Sequence, residues 1–395
     1  MEDSAQGDSQ SPQPPEPPVP PRAPTSPRTL AVAGTALALA FFLTVGAGVQ
    51  LLNTAFGIWF TEFFVFFALG WVLLRFGGWK PREYTGLTPA PRAPTLFGFL
   101  LGVANFFALV IPIQYAAQSI APEWLTKMFD GSRLFEGQTS VELGLILAGV
   151  SIAAPLCEEF FFRGILQRGL TPAPPESPVR ALVVTAVIFS AFHLDPVGFA
   201  ARAELGLLFG WLYLRTGSLW PGIAAHAANN IVSSVLFLAA KAMGQDATDA
   251  ETDVRAVLAL AGLGFIGLSA LFTAARHFPV LLAAPPRATD EEARAPEPRP
   301  ALAMLLLPWV VGATVALGGL ATLDTRGLSL NLYDMQHPLP ELGKDAPPGL
   351  LAERKALMVL RTSARQGKTP MEDYREERER QMRAHRQALG AQKKP

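Results

Sequence analysis

The chain has 395 residues, half of them hydrophobic and only 17% charged, and its 33 basic and 33 acidic side chains leave a formal net charge of zero. That balance offers nothing to attract nucleic acid, and the apolar residues gather into runs of about 20, long enough to cross a ~30 Å hydrocarbon core. Cys157 is the only cysteine, which excludes an intramolecular disulfide.

Residues 1–28 are rich in Pro, Ser and acidic side chains and almost free of large apolar ones, so they are expected to form a disordered tail with local polyproline character. The apolar run Leu30 to Leu52 is too long and starts too far in for a cleavable signal peptide and reads as a true span. Further runs cover Ala55 to Leu74, Leu96 to Ala117, Val141 to Arg168, Ala181 to His193, Leu205 to Leu214, Ile223 to Ala240, Val254 to Ala274 and Leu302 to Leu323. The expected fold is therefore all-α, a polytopic transmembrane bundle of about eight or nine spans over residues 29–323. A polar C-terminal tail follows over 324–395, with a charged helix expected from Pro370 to Leu389.

Basic residues in short loops set the expected orientation. Arg75, Lys80, Arg82 and Arg92 follow the second run, Arg168 and Arg180 flank the loop after the fourth, Arg215 follows the sixth and Arg276 the eighth. Alternate loops hold acidic or mixed charge, so the N-terminus is expected in the cytosol of a plasma (inner) membrane, with the C-terminal tail outside.

Ionisable side chains within a span are costly and mark functional sites by default. Three runs carry them, over 141–238: Glu158, Glu159 and Arg163; Phe189 and His193; His226 and Asn230. Glu159 and Arg163 stand four apart in the favourable order and are expected to pair, while Glu158, rotated by about 100°, stays free to act on water. A water held between Glu158 and His193 would be the nucleophile, with His226 and the Asn230 amide donating to the developing oxyanion.

The ordered set Glu-Glu-x-x-x-Arg, Phe-x-x-x-His and His-x-x-x-Asn on separate spans resembles the CAAX protease and bacteriocin-processing family of intramembrane proteases, which includes the type II CAAX prenyl endopeptidases. The resemblance covers about Val141 to Leu238. It implies a peptidase in a bundle of about eight helices, with a site cavity opening toward the cytosol. Its implied substrate is a membrane-associated protein or peptide, lipidated C-terminal peptides and bacteriocin precursors among the candidates. It also implies a divalent metal such as Zn2+ held by Glu158, His193 and His226, although a second view of the family has Glu158 and His193 activate water alone. The His-Glu-x-x-His zinc motif is missing from this sequence.

Blander readings stand beside these. The Glu158, Glu159, Arg163 cluster could fix helix packing, His193 could be a solvated interfacial histidine, and His226 and Asn230 could bridge helices. Phe189 reads as packing support, Phe160, Phe161 and Phe162 as lipid-facing or core bulk, and Gly206 with Gly210 as a close helix contact. Cys157 has no adjacent base to make a thiolate. Two further functions fit a polytopic chain: a non-catalytic binding or bacteriocin-immunity protein, which would survive Glu158→Gln, and a proton-coupled transporter, which the missing inverted repeats disfavour.

Overall fold

The computed structural model describes residues 23–129, 131–135, 140–172, 176–242, 253–283, 288–296, 324–339 and 348–392, with scattered positions between 301 and 322. All the extended elements among the described residues are helices. Six are long and apolar enough to cross a membrane: α1 (Pro27–Leu52), α2 (Thr54–Phe76), α4 (Arg92–Ile120), α6 (Ser140–Leu170), α9 (Trp220–Ala242) and α10 (Val254–His277). Between them lie the short α3 (Pro81–Thr85) and α5 (Glu123–Met128) and the hairpin of α7 (Val179–Phe192) and α8 (Phe199–Thr216). Most of the run Leu302 to Leu323, expected as a ninth span, and residues 1–22 of the expected tail lie outside the described residues.

The C-terminal half of α6 is the axis of the bundle. From Phe160 to Gly169 every residue is buried, Arg163, Gln167 and Arg168 included, so Phe160, Phe161 and Phe162 are core and do not face lipid. Phe161 and Phe162 pack on Phe66 of α2, and Phe162 also meets Phe189 and Phe192 of α7 edge to face. Two small-residue seams bring further helices close. A Cβ on Gly98 or Gly102 of α4 would fall 2.2 Å from the Pro221 carbonyl or 2.3 Å from that of Ala225 on α9. On α8, a Cβ on Gly206 would meet Ala186 at 2.8 Å, and one on Gly210 would meet Leu182 at 2.5 Å. The expected close contact at these two glycines is thus with α7, and their carbonyls are used as well: Arg163 donates to Gly206 O at 3.1 Å and Gln167 to Gly210 O at 2.9 Å.

Those contacts fix the levels. Arg163 lies level with Gly206 and Ala186, and Gln167 with Gly210 and Leu182, so the α7–α8 corner, His193 to Gly198, falls near the Pro155 level, midway along α6. The 31 residues of α6 span about 46 Å, whereas the 14 of α7 reach only about 21 Å. The hairpin enters and leaves at one end of the bundle and fills only half its height.

That end is the basic one. Arg168 stacks over Tyr84, with Cζ 4.1 Å from the ring centre, and pairs with Asp290 at 2.8 Å, while Lys80 and Gly78 exchange backbone hydrogen bonds with Ala293 and Ala295. At the other end the C-terminal residues fold into α11 (Thr325–Gln336), α12 (Pro348–Arg365) and α13 (Met371–Gln392). The last is the expected charged helix. The three share a small core of Leu330, Leu357, Ala364 and Tyr374 around Asp334, which accepts from Arg361 at 2.7 Å and from the Tyr374 hydroxyl at 2.7 Å. The expected polar tail is therefore a packed module. It docks on the α1–α2 turn, where the Asn53 amide donates to Asp324 at 2.8 Å and to Glu142 at 3.2 Å, and Arg365 pairs with both carboxylates.

Candidate active site

The site grows out of two irregularities in α6, each a wide π turn of the kind that often sits at functional positions. Pro155 explains the first. Proline has no N–H to donate, and the turn before it widens so that the Ala154 N–H reaches the Gly149 carbonyl. The Val150 carbonyl, whose partner five residues on would be Pro155, receives the Asn230 amide at 2.8 Å instead. Asn230 is thus tied to the backbone of α6 and braced by Asn229, whose amide donates to its Oδ1 at 3.0 Å. The second wide stretch, Glu159–Gln167, begins at the next functional residue.

Around it four of the six expected residues meet. Arg163 Nη1 donates to Glu159 Oε1 at 2.7 Å, with both side chains buried. His226 on α9 reaches the same oxygen through Nδ1 at 3.2 Å. An oxygen already accepting from a guanidinium accepts here too, so Nδ1 carries the hydrogen and Nε2 is left facing Glu158 Oε2, 3.9 Å away. That gap is too wide for a direct hydrogen bond. Glu159 is therefore a hub for one cation and one imidazole, while Glu158, also buried, keeps an Oε2 with no hydrogen-bond partner.

Aromatic rings enclose the hub. His226 stacks on Phe209 (4.8 Å, 18°), and the Arg163 guanidinium lies over Phe189 at 4.5 Å. Phe189 is packing support as expected, and its ring meets both histidines, 5.2 Å from His193 and 5.8 Å from His226. His193 ends α7 on the exposed corner, its Nδ1 on the Phe189 carbonyl at 3.0 Å. Since a carbonyl only accepts, Nδ1 donates and Nε2 carries the lone pair.

The corner itself is closely held. Leu194, with φ of 53°, is the one described non-glycine residue at positive φ, an uncommon state that persists where the surroundings over-determine it. Asp195 accepts from the amides of Val197 (2.9 Å) and Gly198 (3.1 Å) and pairs with Arg202 at 2.6 Å, and the Ser190 hydroxyl donates to Phe199 O at 2.7 Å.

The ligand set implied by the resemblance fits this arrangement poorly. Among the described residues no three His, Cys, Asp or Glu side chains are grouped to hold a metal ion. Of the three implied ligands only Glu158 and His226 face one another, at 3.9 Å, although each imidazole keeps Nε2 free with Nδ1 committed, the tautomer a metal-ligating histidine takes.

One carboxylate escaped the sequence reading. Glu62 on α2 is buried, its Oε2 has no hydrogen-bond partner, and it lies within electrostatic reach of Glu158 and Cys157. Its signal in the sequence was its isolation, a single acid inside the apolar run Ala55 to Leu74. Cys157 is fully buried and without a basic neighbour in sequence.

Residues 140–232, the segment holding all three motifs, match the sequence model of the family described as type II CAAX prenyl endopeptidase, Rce1-like. This segment is Rce1-like. The match runs from the first residue of α6 into α9 and takes in the hub, the corner and the half-height hairpin. Neither the curated proteins nor the solved structures contain a match to the chain. The six apolar helices make the protein an integral membrane protein, and within it residues 140–232 are similar to the type II CAAX prenyl endopeptidases.

Proposed function

We propose that the chain is an intramembrane endopeptidase in which Glu158 activates water against a peptide bond of a membrane-associated substrate, lipidated peptides included. The observation that carries this is a buried carboxylate oxygen with no partner, facing an imidazole nitrogen across 3.9 Å inside an apolar span. A glutamate left unpaired there is costly, whereas its neighbour Glu159 is held through Oε1 by Arg163 and His226.

Glu158 takes a proton from water as the oxygen attacks the carbonyl carbon. The Nε2 lone pair of His193, at the corner, orients that water from the substrate side. His226, with its hydrogen on Nδ1 toward Glu159, presents its Nε2 lone pair on the Glu158 side and accepts from the same water. The proton on Glu158 then passes to the departing amine as the C–N bond breaks, and the carboxylate is regenerated. Arg163 touches none of the reacting atoms: it fixes Glu159. Asn230 braces α6 through one N–H of its amide, and the second N–H is left for the oxyanion role expected of it. No step requires the implied metal.

The α7–α8 hairpin enters and leaves at one end, so the expected span over 302–323 would bring the six crossings to seven against the expected eight or nine, and the positive-inside rule then puts the basic end and the N-terminus in the cytosol.

The test compares protein termini in native membranes carrying the wild-type chain or Glu158→Gln at matched abundance. New termini that vanish with the substitution are expected. Identical profiles from two folded, abundant proteins would mean that the fold binds peptide without cutting it.

A further inference from the structure

The α7–α8 corner carries more charge than its turn requires. Asp195 closes the turn by itself, accepting from the amides of Val197 and Gly198, and such a turn needs no cation. Yet Arg202, in the first turn of α8, reaches back to pair with Asp195 Oδ2 at 2.6 Å. A guanidinium at mid-height in a membrane bundle is costly and marks a functional site by default.

Gly198 is what lets the arginine reach. Its φ of −83° is open to any L-residue, so the position does not call for glycine on backbone grounds. It calls for space: a Cβ at 198 would collide with Arg202 Nη1 and with Asp195 Oδ2. The guanidinium so placed lies within electrostatic reach of both Glu158 and His193, and its side chain is 31% exposed. Among the described residues its one side-chain hydrogen bond goes to Asp195, which leaves the N–H groups of Nε and Nη2 free to donate. The other cation that Glu158 feels at close range, Arg163, is buried and committed to Glu159 and the Gly206 carbonyl.

We infer that Arg202 is a further catalytic residue of the proposed hydrolysis, donating from its free N–H groups to the oxyanion that forms as water adds to the scissile carbonyl. The inference rests on the peptidase reading. Before attack the negative charge sits on Glu158, and once Glu158 has taken the proton from water that charge is on the carbonyl oxygen. Glu158 is not a hydrogen-bond partner of Arg202 among the described residues, so the short contact forms only with the oxyanion and favours the transition state over the ground state. Asp195 holds the guanidinium in place beforehand, which spares any reorganisation during the reaction. Arg202 gives up no proton: Glu158 still protonates the departing amine as the C–N bond breaks.

Steady-state kinetics of the full chain, on a peptide sequence taken from the termini comparison, separate this role from a structural one. Arg202→Gln is expected to lower kcat about a hundredfold with KM little changed, and guanidinium ion added to Arg202→Ala is expected to restore part of kcat. Gly198→Ala keeps every charge and displaces only the end of a flexible side chain. It is expected to lower kcat while the unfolding midpoint stays where it was, and it gives the answer should Arg202→Gln fail to fold. If the ion pair only holds the corner, Arg202→Gln and Asp195→Asn lose activity and unfolding midpoint together and guanidinium restores nothing, which overturns the inference. Cleavage by Arg202→Gln at the wild-type rate also overturns it and leaves the peptidase reading standing, whereas a wild-type chain that cuts nothing removes both.

Discussion

The two adjacent glutamates have different chemistry because their partners differ. Glu159 balances a buried guanidinium, and breaking such a pair from one side costs about 3–5 kcal/mol, since the remaining charge stays buried. Glu159→Gln is therefore expected to lower thermal stability in detergent by a margin that Glu158→Gln does not approach, a contrast that unfolding midpoints of the two variants measure directly. Glu62 belongs at the same scale. If it shares the electrostatics of Glu158, Glu62→Gln will lower cleavage while leaving the amount of folded protein in membranes unchanged; full cleavage by that variant would place Glu62 outside the site. The i,i+4 spacing made the Glu159–Arg163 pair legible in the sequence. His226 was legible as a site residue but its partner was not, because which oxygen an imidazole meets depends on how two helices cross.

At the scale of elements, one proline and one asparagine form a unit. Pro155 withholds the N–H that Val150 needs, and Asn230 supplies a substitute from another helix. Asn230→Ala leaves that carbonyl without its donor, at a cost of about 1–3 kcal/mol. Pro155→Ala restores an N–H in the same turn, so the double variant should recover part of the loss, and a double-mutant cycle on unfolding free energies reads the coupling. Additive losses would show that the two residues act separately. Helix existence and order followed from apolar runs and were readable before any coordinates. The π turns were not, since they depend on where a proline, a neighbouring amide or a tight glycine seam perturbs a regular helix. The same limit hid the half-height hairpin: Ala181 to His193 and Leu205 to Leu214 were visible as short apolar runs, but run length alone cannot distinguish a span from a hairpin that turns back.

At the scale of the whole molecule, the C-terminal module is held to the bundle by a few polar contacts. Burial pushes the Asp324 carboxyl up, but the hydrogen bond and charge of Arg365, the Gly327 amide and the Asn53 amide outweigh it, and the group is held below the usual aspartate range. A depressed carboxyl contributes to docking above its unfolded value and loses that contribution as pH falls through its folded one. Acidification through that range is therefore expected to release the docked helix α11 and expose it to protease, and Arg365→Ala to do so already at neutral pH. Unchanged cleavage patterns in Arg365→Ala would show that other contacts hold the module. That the C-terminal residues pack at all was not legible, because a mean composition dominated by charge hides the four apolar residues of their core.

A hairpin that stops halfway also changes how thick the membrane is at that point. Where α7 and α8 end, the apolar layer narrows from the full height to roughly the 21 Å of the hairpin itself, and under the proposed reaction a polypeptide need travel only the remaining distance to bring a bond to Glu158. In the proposed reaction a substrate need not be drawn to the middle of a bilayer, because the short hairpin lowers the edge of the apolar layer toward Glu158. A chain tethered in the lipid could lay its reactive segment over that rim with its anchor still among the acyl tails.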